Sequence, residues 1–186
     1  MNTNDRRIRK TKKALREALA KLLAEKELHE ITVQELADTA DIHRGTFYAH
    51  YQDVYDLYAQ LEESVINELN AVMESDKEYT YAGLYTSLID YIYKNAEICK
   101  MLFKPTGSHN FQNRICAWLE EVYLNGWKQE EKDLQINERL HFLATYHIRG
   151  CITIIDRWVK NDFNCPKHDV IKLLHDVDYN IDRIIS

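Results

Sequence analysis

Apolar residues recur every three or four positions along most of the chain, and this rhythm divides it into segments. Over residues 6 to 25, Ile8, Leu15, Leu19, Leu22 and Leu23 fall on one stripe with basic residues opposite. That spacing predicts an amphipathic helix. In "ITVQEL", Thr32 and Glu35 have the spacing of a capping box, and Ile31 and Leu36 stand where a hydrophobic staple would. A short helix is therefore predicted from about Val33 to Thr39. Asp41 interrupts it, aspartate being one of the few residues that tolerate a left-handed backbone. A second short helix is predicted from about Arg44 to His50. Asp53 can cap a long third one, whose positions Leu57, Leu61, Val65, Leu69 and Val72 keep the helical spacing.

Beyond the polar joint "SDKEYTY", helices are predicted at about 80–95, 97–103, 108–127, 136–160 and 167–185. Pro105 and Gly107 separate the second of these from the third, and Pro166 suits a first helical turn. Five glycines and two prolines in 186 residues also favour an all-α fold, because β-rich folds use turn residues often. The expected organisation is a three-helix module in residues 1–52 and a helical domain in 53–186. The last two helices carry more apolar surface than one neighbour can cover. The final one shows Val170, Leu173, Leu174, Val177, Ile181, Ile184 and Ile185. The one before shows Leu140, Leu143, Ala144, His147, Cys151, Ile155 and Trp158, with Phe142, Ile152 and Ile154 off that face. A second copy of the chain is a natural partner for such helices. Ile155, Trp158, Leu174, Val177 and Ile181 are the expected interface positions.

Charge changes the picture at one end. The formal net charge is −6, yet residues 1–21 hold eight Lys/Arg against Asp5 and Glu17, a local +6. The remainder holds 16 basic and 28 acidic residues, or −12. A basic head on an acidic body points to a polyanion touched by the N-terminal part alone.

Helix, short turn, helix over residues 32 to 50 is the arrangement of a helix-turn-helix reader of double-stranded DNA. "HRGTFYAHY" would be the recognition helix. Gly45 lets the backbone approach DNA, Arg44 can reach a guanine edge or a phosphate, and Thr46 can meet a thymine methyl or a phosphate. Tyr48 and His50 offer donors to phosphates. Phe47 and Tyr51 are apolar enough to face inward.

The stretch "ITVQELADTADIHRGTFYAHYQDVYDLYAQL" resembles the DNA-binding module of the TetR family of bacterial transcription regulators. The likeness lies in apolar–Thr, "ELA", then Gly-Thr-aromatic-Tyr-x-His-aromatic, then Asp and Leu on the next helix. "LIDYIYKNAEICKMLF" and "HIRGCITIIDRWVKNDF" are similar to the C-terminal region of the subgroup of DhaS-like activators. The resemblance implies a homodimer of all-helical subunits whose last two long helices pair across the dimer axis. It implies DNA contacts at Thr32, His43, Arg44, Gly45, Thr46, Tyr48 and His50, with Arg9 and Lys10 on an N-terminal arm. It also implies control by a small-molecule or protein effector. The chain departs from the family pattern at Asp41, where glycine is usual, and at His43, where a small hydroxyl residue is common. Val54 takes the place of a common lysine near a DNA phosphate.

The expected function is a DNA-binding regulator, a repressor released by an effector. The alternative is an interaction protein of the same fold governed by a protein partner. An enzyme is not expected: there is no Walker loop, GxSxG, HExxH or glycine-rich dinucleotide turn. The cysteines Cys99, Cys116, Cys151 and Cys165 form no CxxC pair, and the histidine spacings make no metal site, so neither metal nor cofactor is expected. Reduced thiols, no leader-like N-terminus and no long apolar run suit a cytoplasmic protein without membrane contact. For an effector pocket, Tyr93, Trp118, Phe142, Tyr146 and His147 are the expected lining.

Overall fold

A computed structural model describes residues 3–75, 81–104, 111–130 and 135–185. Most of these residues are helical, in the order α1 (Thr3–Glu25), α2 (Val33–Thr39), α3 (Arg44–Tyr48), α4 (Val54–Ser75), α5 (Tyr81–Lys94), α6 (Ala96–Leu102), α7 (Phe111–Glu130), α8 (Glu138–Lys160) and α9 (Lys167–Ile185). A single 3-10 turn, Leu28–Glu30, follows α1. Pro105 and Gly107, expected as helix breakers, lie outside the described residues.

The chain forms two compact units, and the boundary differs from the expected break after residue 52. One unit takes Met1–Val65 together with Glu97–Asn110; the other takes Ile66–Ala96 and Phe111–Ser186. The long helix α4 runs through the boundary, so no linker composition marks it. The first unit also recruits α6 from far along the chain. Its Lys104 donates to the carbonyls of Leu23 at 2.9 Å and Ala24 at 3.4 Å. A cation on the last free carbonyls of α1 is favourably placed.

In the first unit the apolar stripe of α1 is buried at Leu15, Leu19, Leu22 and Leu23, together with Leu36, Ala37, Phe47, Tyr51 and Leu57. The N-cap of α2 is as the sequence requires: Glu35 N donates to Thr32 Oγ1 at 3.2 Å. The reciprocal half of the box is absent among the hydrogen bonds described, because the Glu35 carboxylate pairs with Lys26 instead. Thr32→Ala should lower stability by about 1 kcal/mol, measurable by urea denaturation. A loss below a few tenths would show that Lys26 and Glu35 hold the start of α2 without the cap.

The turn after α2 is a Schellman motif. Ile42 N donates to Ala37 O at 3.0 Å and Asp41 N to Asp38 O at 3.2 Å, with Asp41 left-handed at φ 53°. That geometry normally selects glycine, and aspartate is among its tolerated substitutes. The same motif ends α8, where Asp162 and Phe163 have φ 52° and 57° and Phe163 N donates to Trp158 O at 3.0 Å. Phe163 is held there by edge contacts with Trp158 and Tyr93, at ring separations of 4.8 and 5.7 Å.

In the second unit α5, α7, α8 and α9 pack together. Their core includes Tyr85, Leu88, Leu119, Tyr123, Ala144, Ile148, Ile155 and Leu174. No helix among the described residues is long and apolar enough to cross a membrane.

Candidate nucleic-acid interface

The helix-turn-helix is built from the inside outward. Phe47 is fully buried and Tyr51 nearly so, and their rings lie 5.7 Å apart. With these two residues anchored, helical geometry turns the rest of α3 outward. His43, Arg44, Gly45 and Tyr48 are exposed, and Thr46 and His50 are half-buried. Thr32 is exposed beside its cap, and Arg9 and Lys10 are exposed on α1. All nine positions predicted to meet DNA therefore lie in the first unit with side chains or backbone reachable from outside.

Local details bear on what this surface can do. His43 is the N-cap of α3 but makes no capping hydrogen bond with its side chain, so its imidazole is not committed to holding the helix. A Cβ added to Gly45 would meet nothing within 4 Å. The chain's own packing does not demand this glycine, which costs about 1 kcal/mol relative to alanine inside a helix. Its advantage lies in what approaches from outside. Arg44 Nη2 donates to Tyr48 Oη at 3.0 Å. The start of α4 is tied reciprocally: Asp56 N donates to Asp53 Oδ1 at 2.8 Å, and Gln52 N to Asp56 Oδ2 at 2.9 Å.

Val54 stands where it was expected, at the first position of α4. It is only 4% exposed, so the valine is used as core. Valine at the first position of an amphipathic helix can face either way, and only packing decides.

The five residues expected to line an effector pocket are not brought into one cavity. Phe142 is 66% exposed and Tyr146 80% exposed on α8, and Tyr93 is also exposed. Trp118 donates through Nε1 to Asn70 Oδ1 at 2.6 Å. His147 alone is buried, at the centre of a polar cluster that sequence reasoning missed. Its Nε2 lies 3.0 Å from Asp178 Oδ1, 3.1 Å from Tyr85 Oη and 3.3 Å from Tyr123 Oη. Tyr123 Oη also donates to Asp178 Oδ1, and Cys151 Sγ is 3.9 Å from the imidazole. Burial alone would lower the His147 pKa. The Asp178 carboxylate, with help from Cys151, reverses this and raises it from 6.5 to about 9. On the Tyr85 and Tyr123 hydroxyls burial acts in the opposite direction and pushes the pKa up. The only advance signal was the polarity of His147 and Asp178 within otherwise apolar stripes. Nearby, Trp127 Nε1 is buried with no acceptor among the described residues.

A separate groove of about 730 Å³ lies along the end of α8 and the start of α9, bounded by Arg157, Trp158, Asn161, Cys165, Val170 and Leu173. None of the five expected pocket residues borders it.

The expected dimer positions also need correction. Ile155, Trp158, Leu174 and Ile181 are buried within the chain itself, and Val177 is half-buried. A helical stripe cannot reveal whether its neighbour belongs to the same chain. Here α9 spends that stripe on α5 and α8.

Comparison with known proteins gives these features a frame. The family model "Bacterial regulatory proteins, tetR family" matches residues 15–61, and "Transcriptional regulator C-terminal region" matches residues 80–177. No curated protein matches the chain. Among solved structures, the dihydroxyacetone kinase operon activator DhaS is 21% identical, with a TM-score of 0.66 over 94% of this chain and 96% of that one. A TetR transcriptional regulator from Streptococcus agalactiae 2603V is 24% identical, with a TM-score of 0.65 over 92% and 94%. FadR from Bacillus subtilis, solved in complex with stearoyl-CoA, is 17% identical, with a TM-score of 0.61 over 90% and 96%. At these identities the structural likenesses speak for the fold alone. The family models span both the helix-turn-helix and most of the second unit, and on that ground the chain belongs to the TetR family of bacterial transcriptional regulators.

Proposed function

We propose that this chain binds a near-palindromic operator as a homodimer and represses transcription until an effector releases it. The observation that carries the DNA reading is the surface of α3. Phe47 and Tyr51 are sunk into the core, while His43, Arg44, Gly45 and Tyr48 face outward. Basic residues of α1, Arg9 and Lys10 among them, are exposed in the same unit. Base-edge contacts from Arg44 and Thr46 would discriminate sequences, and Thr32, His50, Arg9 and Lys10 would hold phosphates.

The dimer reading is supported by a different face from the one expected. Phe142, Tyr146, Arg149, Thr153 and Arg157 are exposed at three-to-four spacing along α8, and Leu173, Asp176, Tyr179 and Asn180 are exposed on α9. Large exposed aromatics on an otherwise well-packed unit suit a partner surface. Gly150, on the same side of α8 as Tyr146 and Thr153, leaves open space at its Cβ position, where a partner helix could come close.

A protein partner as effector is the second reading. The similar structure DhaS is named an operon activator, and the exposed aromatics of α8 could serve such a partner equally. FadR, solved with stearoyl-CoA, stands for the small-molecule case.

The test is selection from a random pool of double-stranded DNA, followed by salt titration of the winning sequence. A near-palindrome with half-sites about one helical turn apart, near 34 Å, is expected. Log affinity should fall linearly with log salt, and Lys10→Ala should make that slope shallower by about 0.9 per subunit. Failure to enrich any sequence, with no retention on DNA at low salt, would overturn the reading.

A further inference from the structure

Tyr48 was expected to hold a phosphate, and its hydroxyl already accepts a hydrogen bond from Arg44. Arg44 opens α3, where the free backbone N–H groups of the first turn make a cation unfavourable. Among the described residues Arg44 has no carboxylate partner. The stability of the helix therefore does not explain an arginine at this position. Its guanidinium is nevertheless held. One turn later, Tyr48 accepts a hydrogen bond from Nη2 at 3.0 Å, and the guanidinium carbon lies 5.3 Å from the centre of the Tyr48 ring. The ring is itself braced. It meets Phe47 edge-on at 5.5 Å and 87°, and Phe47 is fully buried. A continuous line of contacts thus runs from the core of the first unit through Phe47 and Tyr48 to an exposed arginine.

We propose that Tyr48 is a positioning residue for Arg44, which reads a guanine in each half-site. This rests on the DNA reading proposed above. A guanidinium has five N–H donors in a planar fork. Tyr48 engages one nitrogen of the fork, and the others are left for the O6 and N7 acceptors of guanine, the bidentate pairing that distinguishes this base in the major groove. An unheld arginine would lose rotamer freedom at the moment of docking. Here Tyr48 has removed much of that freedom beforehand, so the loss counts less against the guanine contact. Because Tyr48 is itself 48% exposed, replacing it should not disturb the fold.

The experiment selects binding sequences from a random double-stranded DNA pool with wild type, Arg44→Ala, Tyr48→Ala, Tyr48→Phe and the double alanine variant. Affinity is then measured on the wild-type sequence and on its guanine-substituted version. Wild type should prefer guanine at one position per half-site by about tenfold or more. Arg44→Ala should abolish that preference. Tyr48→Ala should reduce it several-fold, and Tyr48→Phe, which keeps the ring but not the acceptor oxygen, should fall between. The double variant should be no worse than Arg44→Ala, because the second residue acts through the first. A phosphate contact predicts something different: Tyr48→Ala would weaken all sequences alike, keep the guanine preference and add its loss to that of Arg44→Ala. That result would overturn the proposal and leave the DNA reading standing. A wild type that enriched no sequence would overturn both.

Discussion

Asp178→Ala is expected to destabilise the second unit by about 3–5 kcal/mol at neutral pH, the loss typical when one partner of a buried ion pair is removed. His147 and Asp178 are both almost wholly buried, 3.0 Å apart. The carboxylate also takes the Tyr123 hydroxyl, so its removal strands two donors at once. Asp178→Asn should cost less, because an amide oxygen still accepts from one of them. The pH dependence identifies the cause. The folded-state pKa of His147 is raised from 6.5 to about 9, so the folded protein holds this proton more tightly than the unfolded chain. The resulting stability is fully present below about pH 6.5 and is lost as pH rises through 9. Wild type should therefore weaken between pH 7 and 9.5 in urea titrations followed by circular dichroism. Asp178→Ala should show a flatter profile over the same range. A loss below 1 kcal/mol, or a variant whose profile parallels wild type, would mean that His147 is uncharged in the folded protein.

Tyr146→Glu should yield a folded monomer with weak operator binding, and Leu174→Glu should fail to fold. The contrast follows from burial: Tyr146 is 80% exposed and Leu174 is 0% exposed in the single chain. If Tyr146 meets a partner across a two-fold axis, one substitution buries an unpaired carboxylate in each subunit. That costs several kcal/mol, which is roughly a thousandfold in the dimer dissociation constant. Light scattering, circular dichroism and operator binding on the two variants separate the effects. Native helical content in a monomeric Tyr146→Glu is the expected result. A dimer that survives Tyr146→Glu unchanged would place the interface elsewhere.

The helices, the reader and the family were all readable along the chain, because each depends on local spacing. Thr32 caps α2 through the residue three positions on. Asp41 turns the backbone through bonds that reach back no more than five residues. "GTFYAHY" divides into buried Phe47 and Tyr51 and outward Gly45 and Tyr48 by helical geometry alone. Such relations survive in one dimension. The exposed face of α8 and the buried centre of the second unit were not readable, because both depend on which distant helix fills which groove. Ile155, Leu174 and Ile181 form an apolar stripe that fits another chain or this one equally well, and the packing of α5, α7, α8 and α9 assigned it to this one. The same packing turned Phe142 and Tyr146 outward. It also drew Tyr85, Tyr123, His147 and Asp178 together from across more than ninety residues of sequence. Whether a residue faces core, solvent or partner is settled by burying the most apolar area at the least polar cost. That balance is struck among helices, and no single helix contains it.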